Sequence, residues 1–353
     1  MRASVLLSRG PGDSEIVEAE LDDPRPHEVI VRIEAVGVCH TDLVTRKALG
    51  ERPAVLGHEG CGVVERSGTA VDTLGVGDRV VISFASCGSC EQCRARHPAY
   101  CDRATALNGS GRRPDGSPTI RVGGSPVFGA YFGQSSFATA ALADARSCVP
   151  VGDVPPEVAA PLGCGFLTGA GAVLNVLRPG PGDRLLVVGA GAVGTAAVLT
   201  ALSEGAEVVV AEPVAARRAL AVRCGASAVA SLDDPLAPVT HALDTTGRPE
   251  VPARALALLR PRGTLAVVGL GPATAAIDVR DLMLRGLQLR GCVEGDAEPT
   301  LHIPELMRRH AQGRLPLDEL VTTYALDEFE QAVADQRSGR TLKPVLLPNR
   351  SES

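Results

Sequence analysis

Four cysteines in the first third of the chain have the spacing of a metal-binding lobe. Cys87, Cys90 and Cys93 follow one another with two residues between them, and Cys101 lies eight positions further on. Four thiolates at this spacing can surround a tetrahedral ion, and zinc held in this way is structural because no coordination position stays open. Iron–sulfur clusters are the alternative, because similar runs of cysteines hold them.

A second, dispersed set of residues could hold a catalytic ion. Cys39, His58 and Cys164 stand in the short motifs GVCHTD, GHE and GCG. A catalytic zinc takes three protein ligands and keeps one position open, and two thiolates with an imidazole form such a set. Taken singly, each residue is weak evidence, since an isolated cysteine is by default a small buried residue.

The segment LLVVGAGAVG carries the glycine spacing of a dinucleotide-binding turn between a predicted strand and a predicted helix. Such glycines let the backbone turn tightly and approach a pyrophosphate at the helix N-terminus. The next strand ends at Glu212, whose carboxylate would accept ribose hydroxyls and repel a 2′-phosphate, so NAD is favoured over NADP. Arg217 could soften this preference or be a surface charge. The predicted cofactor contacts in the turn are Gly189, Gly191, Ala192, Val193 and Gly194.

Two kinds of fold must position these residues. About the first 150 residues are rich in β-branched residues and turns, with a predicted strand at 29–36. From about residue 161, apolar strands alternate with helices, as in a strand at 184–188 and a helix at 193–204, which predicts a parallel sheet. The segment 109–124 is predicted to be a surface loop, and a helix is predicted near 304–312.

Composition restricts the partners and the compartment. The chain has 353 residues, 45% of them hydrophobic, and a formal charge of −6, so it has neither the composition of a disordered chain nor the basic charge that binds nucleic acid. Its N-terminal apolar run is too short for a signal peptide, and no stretch is long enough to span a membrane. We therefore expect a cytoplasmic protein without nucleic-acid or membrane partners. Four cysteines outside the two sets are expected to be buried packing residues: Cys61, Cys148, Cys224 and Cys292.

The order of these motifs resembles one enzyme family. With GVCHTD, GHE, the four-cysteine lobe, GCG and GAGAVG in succession, the chain resembles the zinc-dependent alcohol dehydrogenases of the medium-chain dehydrogenase/reductase superfamily. SFASCGSCEQCRARHPAYCDR and FGQSSFATAAL are more particularly similar to the bacterial aryl-alcohol (benzyl alcohol) dehydrogenase branch. The resemblance covers essentially the whole chain.

The resemblance implies a role for each matching residue at the catalytic site. Cys39, His58 and Cys164 match the catalytic zinc ligands, and Glu59 matches an occasional ligand beside the metal. Asp42 would hydrogen-bond the other ring nitrogen of the histidine and fix its tautomer.

Proton transfer and cofactor contacts follow from the same resemblance. Thr41 matches the hydroxyl residue that takes the substrate proton, with helix capping as the alternative. Val44 stands where some members carry a relay histidine, so the proton must leave by another route. His40 and Lys343 match residues near the cofactor phosphates, although either could be a plain surface charge.

The implied architecture is α/β. A Rossmann dinucleotide domain with a doubly wound parallel sheet, residues 166–293, would interrupt a mainly β, GroES-like catalytic domain of residues 1–165 and 294–353. The structural zinc lobe would lie at about 84–103, and the reaction site in the cleft between domains. The family is usually dimeric or tetrameric. By alignment, the substrate pocket would include Ser83, Phe84, Phe132 and Leu270.

Three functions are compatible with the sequence. The first is an NAD-dependent zinc alcohol dehydrogenase with two zinc ions per chain, acting on aryl, allylic or other bulky hydrophobic primary alcohols. The second is a biosynthetic reductase of the same fold that acts on an enal, an imine or a natural-product aldehyde. The third, a zinc-ribbon scaffold or binding module, is disfavoured because both the glycine turn and the Cys39, His58 and Cys164 set are complete.

Overall fold

The computed structural model describes residues 1–348, so the last five residues of the predicted catalytic segment lie outside the described part. The chain forms two compact units. The first consists of Met1–Cys164, Glu298–Met307 and the chain from Asp318 onward, and the second of Gly165–Ala297 and Arg308–Leu317.

The N-terminal part of the first unit is mainly β-structure. Its strands are β1 (Arg2–Ser8), β2 (Ser14–Leu21), β3 (Glu28–Gly37), β4 (Ala54–Val55), β5 (Gly60–Ser67), β6 (Arg79–Ile82), β7 (Ile120–Val122), β8 (Ser125–Pro126), β9 (Ala140–Asp144) and β10 (Cys148–Pro150). Its α-helices are α1 (His40–Leu49), α2 (Glu91–Arg94), α3 (Ala104–Gly109) and α4 (Pro156–Ala159).

The second unit alternates helices and strands. It contains α5 (Gly165–Gly171), which continues as a π-helical turn at Ala172–Leu177, then β11 (Arg184–Val188), α6 (Ala192–Ser203), β12 (Glu207–Ala211), α7 (Ala215–Arg223), β13 (Ser227–Val229), β14 (Val239–Asp244), α8 (Val251–Leu258), β15 (Leu259–Val267), α9 (Val279–Leu284) and β16 (Gln288–Gly291). These six strands form one sheet in the order β13-β12-β11-β14-β15-β16, and all their pairings are parallel. This is the strand order of a dinucleotide-binding domain, so the predicted doubly wound parallel sheet is confirmed.

The C-terminal elements are α10 (Pro299–Ala311), β17 (Val321–Ala325), α11 (Phe329–Ser338) and β18 (Lys343–Leu347). The first of these helices begins five residues before the predicted start, because Pro304 lies inside it and does not end it. In the first unit, β18 pairs antiparallel with β3, so the end of the chain closes onto the strand that leads to Cys39.

Strand β3 separates two hydrophobic cores because its side chains alternate. Val29, Val31 and Ile33 face one cluster, together with Phe137 from the opposite side. Ile30 faces the other cluster, which fills the space under β1 and β2. A strand buried on both faces cannot shift its register without moving every side chain to the wrong core, so β3 is a fixed base for the residues that follow it.

The prediction of a surface loop at 109–124 is only partly right. Within it, β7 pairs with β2, and the side chain of Arg113 is only 4% exposed. Its guanidinium donates to Asp22 at 2.7 Å, to Glu28 at 2.8 Å and to the carbonyl of Pro118 at 3.1 Å. The glycine, proline and charged residues suggested solvent exposure, whereas ion pairing anchors the segment in the fold.

Three of the four additional cysteines, Cys61, Cys148 and Cys292, are buried as predicted, whereas Cys224 is only partly buried. Among residues 1–348 no single helix has the length and apolar character to cross a membrane. Two shorter helical segments on either side of Cys164, which are bent relative to each other, together have the length and apolar composition of a membrane span, but no other feature of one.

We expect Arg113→Ala to lower the free energy of unfolding by about 3 kcal/mol, because it leaves the carboxylate of Glu28, whose side chain is 14% exposed, without its cation. Arg66→Ala is the matched control, since the Arg66–Asp23 pair is exposed on both sides and should change stability by less than about 1 kcal/mol. Urea unfolding of both variants measures the difference. An equal loss of unfolding free energy in the two variants would show that the Arg113 ion pairs do not anchor residues 109–124.

Candidate functional site

The dispersed cysteine and histidine residues meet in one cluster. Cys39 lies at the N-terminus of α1, His58 and Glu59 lie just before β5, and Cys164 follows a short helical turn that ends at Gly163. One ligand atom from each of the four residues lies within 4.8 Å of the others, and the cluster is buried. The structure thus brings together residues that are far apart in sequence.

The carboxylate of Asp42, which is 1% exposed, connects two of the segments in the cluster. Its Oδ2 accepts from the backbone N–H of Cys39 at 2.9 Å, and its Oδ1 accepts from the N–H of Gly57 at 3.1 Å. The same Oδ1 lies 2.9 Å from Nδ1 of His58. Because a carboxylate only accepts, Nδ1 carries the proton and Nε2 is turned into the cluster.

The cluster fits a zinc ion. Among the described residues, Nε2 of His58 is buried without a hydrogen-bond partner. A hydrogen bond from Cys164 and the nearby His58 ring hold the pKa of Cys39 well below its usual range, although burial opposes this. Burial lowers the pKa of His58, but Asp42 and Cys39 together raise it well above its ordinary value. Such a site favours a bound positive charge, and two sulfurs with an imidazole nitrogen suit zinc.

Glu59 and Lys343 form a buried ion pair beside the two sulfurs. Both side chains are at most 1% exposed, with Lys343 Nζ 2.5 Å from Glu59 Oε2 and donating to the carbonyl of Val38 at 3.1 Å. Burial raises the pKa of Glu59 to about 7, although the Lys343 ammonium lowers it. The alternative that Lys343 is a surface charge is therefore wrong, whereas His40, the first residue of α1, is exposed.

Thr41 is the second residue of α1 and lies beside the cluster. Since α1 begins at His40 and its N-cap residue is Cys39, the helix-capping alternative for Thr41 is wrong. Its hydroxyl oxygen lies 3.6 Å from the sulfur of Cys39. Val44, three residues further along α1, is 37% exposed and has no group that could carry a proton.

Two aromatic rings enclose the imidazole of His58. Phe132 is stacked on it with ring centroids 4.4 Å apart, and Tyr131 meets it edge-on at 5.5 Å. Phe132 has φ = 52° and its neighbours Ala130 and Ser135 have φ = 54° and 59°. Side chains in this left-handed region cost energy, and such strain occurs at functional sites.

The other residues predicted for the substrate pocket lie in different surroundings. Ser83 is fully buried and its hydroxyl donates to the carbonyl of Gly163 at 2.7 Å instead of facing open space. Phe84 is 6% exposed. In the second unit, Leu270 is 58% exposed.

The four-cysteine lobe has the geometry of a site for one ion. The sulfurs of Cys87, Cys90, Cys93 and Cys101 all lie within 4.8 Å of one another. Cys87 and Cys93 are 3.9 Å apart, close to the separation of about 3.8 Å that tetrahedral Zn–S bonds of about 2.3 Å give. A cluster of several iron ions would hold the sulfurs further apart, so the geometry favours the single ion over the iron–sulfur alternative.

Backbone N–H groups stabilise thiolates in this lobe. Ser89 donates from its backbone at 3.4 Å and from its hydroxyl at 3.6 Å to the sulfur of Cys87, and these bonds lower the pKa of Cys87 to about 5. Burial instead raises the pKa of Cys93 to about 12. A bound metal ion would deprotonate all four thiols.

The glycine turn has the shape of a dinucleotide site at the end of β11. Gly189 has φ = 91°, which favours glycine. A Cβ on Gly194 would lie 1.9 Å from the carbonyl oxygen of Gly189, so position 194 also requires glycine. A Cβ on Gly191 would have no protein atom within 4 Å among the described residues. This open space lies at the N-terminus of α6, which begins at Ala192 and continues through Val193, and it suits a pyrophosphate.

Glu212 lies immediately after β12 and next to the glycine turn. Its carboxylate, on a residue 3% exposed, accepts from the N–H of Ala190 at 2.7 Å and from that of Val214 at 2.8 Å. Arg217 lies in α7 and is partly buried. A carboxylate at this edge fits ribose hydroxyls better than a 2′-phosphate.

No predicted catalytic, metal-binding or cofactor role includes Gln134, which lies beside His58. Its side chain is 2% exposed and it donates to the carbonyl of His58 at 2.9 Å. The signal that could have identified it is an amide side chain within the otherwise small or apolar segment FGQSSFATAAL, because a polar group there must find partners.

Two family models match the chain. An alcohol dehydrogenase GroES-like domain covers residues 25–153, and a zinc-binding dehydrogenase domain covers residues 192–311. Together with the parallel sheet, they confirm the predicted combination of a GroES-like domain and a Rossmann domain.

Several relatives and solved structures are similar over nearly the whole chain. A geraniol dehydrogenase of Castellaniella defragrans is 44% identical over 98% of this chain and 97% of its own length. The crystal structure of benzyl alcohol dehydrogenase from Acinetobacter calcoaceticus is 39% identical, with a TM-score of 0.93, over 98% of this chain and 99% of its own. An alcohol dehydrogenase zinc-binding domain protein from Burkholderia ambifaria is 41% identical, with a TM-score of 0.95, over 99% and 100% of the two chains.

We expect Asp42→Asn to weaken binding of the metal at the Cys39, His58 and Cys164 cluster by about 10- to 100-fold, because the histidine loses its charged partner. Competition with a chromophoric chelator measures this affinity. Asp72→Asn is the control, since Asp72 is exposed. An unchanged affinity in Asp42→Asn would contradict the orienting role of Asp42.

Proposed function

The chain belongs to the zinc-dependent alcohol dehydrogenases of the medium-chain dehydrogenase/reductase superfamily, and we propose that its substrates are aryl, allylic or other bulky hydrophobic primary alcohols and their aldehydes. The enzyme interconverts an alcohol and its aldehyde. The observation that carries the activity is the buried cluster of Cys39, His58 and Cys164, in which one imidazole nitrogen lacks a partner among the described residues.

The substrate class is supported by the rings around His58. Phe132 and Tyr131 present apolar surface within 5.5 Å of the imidazole centroid, and aromatic faces pack well against flat or unsaturated chains. Relatives named for geraniol and benzyl alcohol, one an allylic and one an aryl alcohol, support the same class.

We propose that Cys39, His58 and Cys164 hold the catalytic ion and that Thr41 moves the substrate proton. When bound, zinc supplies Lewis-acid polarisation of the alcohol oxygen and the nicotinamide accepts or returns hydride. The Thr41 hydroxyl, 3.6 Å from the Cys39 sulfur, is close enough to the cluster to accept a proton from an alcohol there. Asp42 keeps Nε2 of His58 directed at the ion. Because Val44 cannot continue a relay, the proton leaves Thr41 through solvent or the cofactor ribose.

The cofactor is NAD in preference to NADP. Glu212 supports this preference because a carboxylate beside the glycine turn repels an additional phosphate. We also propose that Gly189, Gly191, Ala192, Val193 and Gly194 contact the cofactor, with further contacts from His40, Arg217 and Lys343.

Edge strand β16 supports a homodimer or homotetramer. All four of its residues are exposed and it pairs only with β15 among the described strands. In the same unit, α9 exposes Val279, Met283 and Leu284 at 66%, 68% and 72%. An unprotected edge beside apolar side chains is a surface that a second copy can cover.

A reducing cytoplasm suits this chain, since its ten cysteines include two clusters that bind metal only as free thiolates.

With NAD, we expect kcat/KM for benzyl-type and allylic alcohols to exceed that for ethanol by at least about tenfold, because the larger substrates bury more apolar surface. The absorbance of the NADH formed measures the rates. The same alcohols are assayed in parallel with NADP, and we expect slower oxidation with that cofactor. Phe132→Ala should lower kcat/KM for the aromatic alcohols more than for ethanol. Tyr100→Ala, which removes an aromatic side chain 37% exposed, is the control.

One result would contradict the proposed substrate class, and another would contradict the proposed cofactor. Rates for every simple aryl or allylic alcohol far below those for an enal, an imine or a natural-product aldehyde would instead identify a biosynthetic reductase. A faster reaction with NADP would contradict the role of Glu212.

We propose two zinc ions per chain, and elemental analysis should find both. Cys90→Ser should lower the content to one ion because the lobe then lacks a thiolate, whereas Cys224→Ser should retain two. Detection of a single ion in the unmodified enzyme would rule out the two-site proposal, and iron in place of zinc would support the iron–sulfur alternative.

A further inference from the structure

A single buried amide connects several segments of the first unit. Gln134 Nε2 donates to the carbonyl of His58 at 2.9 Å and to that of Ile82 at 3.2 Å, with a longer contact of 3.4 Å to Ser83. Its Oε1 accepts from the N–H of Gly60 at 3.1 Å. The amide therefore bonds the residues on both sides of Glu59 and holds them against the end of β6.

Ser83 continues this connection to the third ligand segment. It is fully buried, and its hydroxyl donates to the carbonyl of Gly163, the residue before Cys164, at 2.7 Å. Gly163 is packed so closely that a Cβ there would lie 2.7 Å from the carbonyl oxygen of Ile82. The peptide preceding Cys164 is thus fixed against the same end of β6 that Gln134 holds.

We propose that Gln134 and Ser83 form an internal brace that sets the distance between His58 and Cys164, and so positions both residues for the catalytic ion. The brace consists of the Gln134 amide, the Ser83 hydroxyl and the three carbonyls to which they donate. Neither side chain is part of the ligand set, so both are positioning residues. The assignment rests on the zinc chemistry of the family and not on the proposed substrate class.

The physical reason is that the brace acts on the backbone of both ligand segments at once. Asp42 bonds the ring of His58 and the backbone of Cys39, so it orients the imidazole relative to the start of α1. The path through Gln134, the end of β6 and Ser83 joins the backbone of His58 to that of Gly163 by hydrogen bonds. Buried bonds of this kind have no water to replace them, so losing one changes the geometry.

The test is the rate at which the holoenzyme loses metal to a chromophoric chelator. The phase of release that parallels loss of alcohol oxidation belongs to the catalytic ion, and the other phase belongs to the four-cysteine lobe. Ser83→Ala should accelerate the catalytic phase roughly tenfold and leave the lobe phase unchanged. Ser135→Ala is the matched control, because Ser135 is equally buried and donates to a carbonyl, that of Val55, outside the brace.

Gln134→Glu provides the second measurement. The carboxylate keeps the shape of the side chain but cannot donate to the His58 and Ile82 carbonyls, so the catalytic phase should accelerate as in Ser83→Ala or more. Gln134→Asn, which retains the amide, should restore part of the slow release. If Gln134→Glu fails to fold, the rate of metal release from Ser83→Ala alone tests the brace.

Two results would overturn the brace. One is a catalytic phase in Ser83→Ala that is as slow as in the unmodified enzyme. The other is equal acceleration of both phases in Ser83→Ala and Ser135→Ala, which would indicate general loosening. An unmodified enzyme that retains no catalytic metal would instead contradict the proposed function, so the two failures are distinguishable.

Discussion

The structure of the first unit depends on the concentration of ionisable groups in a small buried space. Two thiols, an imidazole and a carboxyl lie within 4.8 Å of one another, which is unfavourable for charged groups unless a cation lies between them. Lys343 compensates Glu59, Asp42 compensates His58, and a bound zinc ion would compensate the thiolates of Cys39 and Cys164. The surrounding elements can be understood as the framework that holds these groups in place before the ion binds.

That framework draws on every part of the first unit. Strand β3, buried on both faces, ends where Cys39 begins α1, and β18 brings Lys343 alongside it. The end of β6 carries Ser83, and the strained turn around Phe132 holds the aromatic rings against His58. Because these contacts are long-range in sequence, the site forms only when the unit is folded.

The sequence predicted those parts of the structure whose physical cause is local. Gly189 and Gly194 follow from steric requirements of one turn, Gly191 leaves open space for a ligand there, and the spacing of the four lobe cysteines follows from the reach of one short segment. The assembly of Cys39, His58 and Cys164 could be inferred only through a family resemblance, since no short-range pattern joins them. Long-range partners escaped prediction: Arg113 lies in a segment predicted to be a surface loop but pairs with Asp22 and Glu28, and nothing near Gln134 in sequence indicates which carbonyls accept its hydrogen bonds.

The left-handed backbone at Phe132 restricts how the enzyme's selectivity can diverge. A β-branched side chain at this position would clash with its own backbone at φ = 52°, so isoleucine, valine and threonine are excluded from a place where they would otherwise reshape the wall near His58. Fewer amino acids are therefore compatible with the fold at position 132 than at a pocket position with an ordinary backbone conformation. In a mutagenesis library at position 132, β-branched residues would be depleted among the folded variants, and their shapes would be available only at positions whose backbone is relaxed.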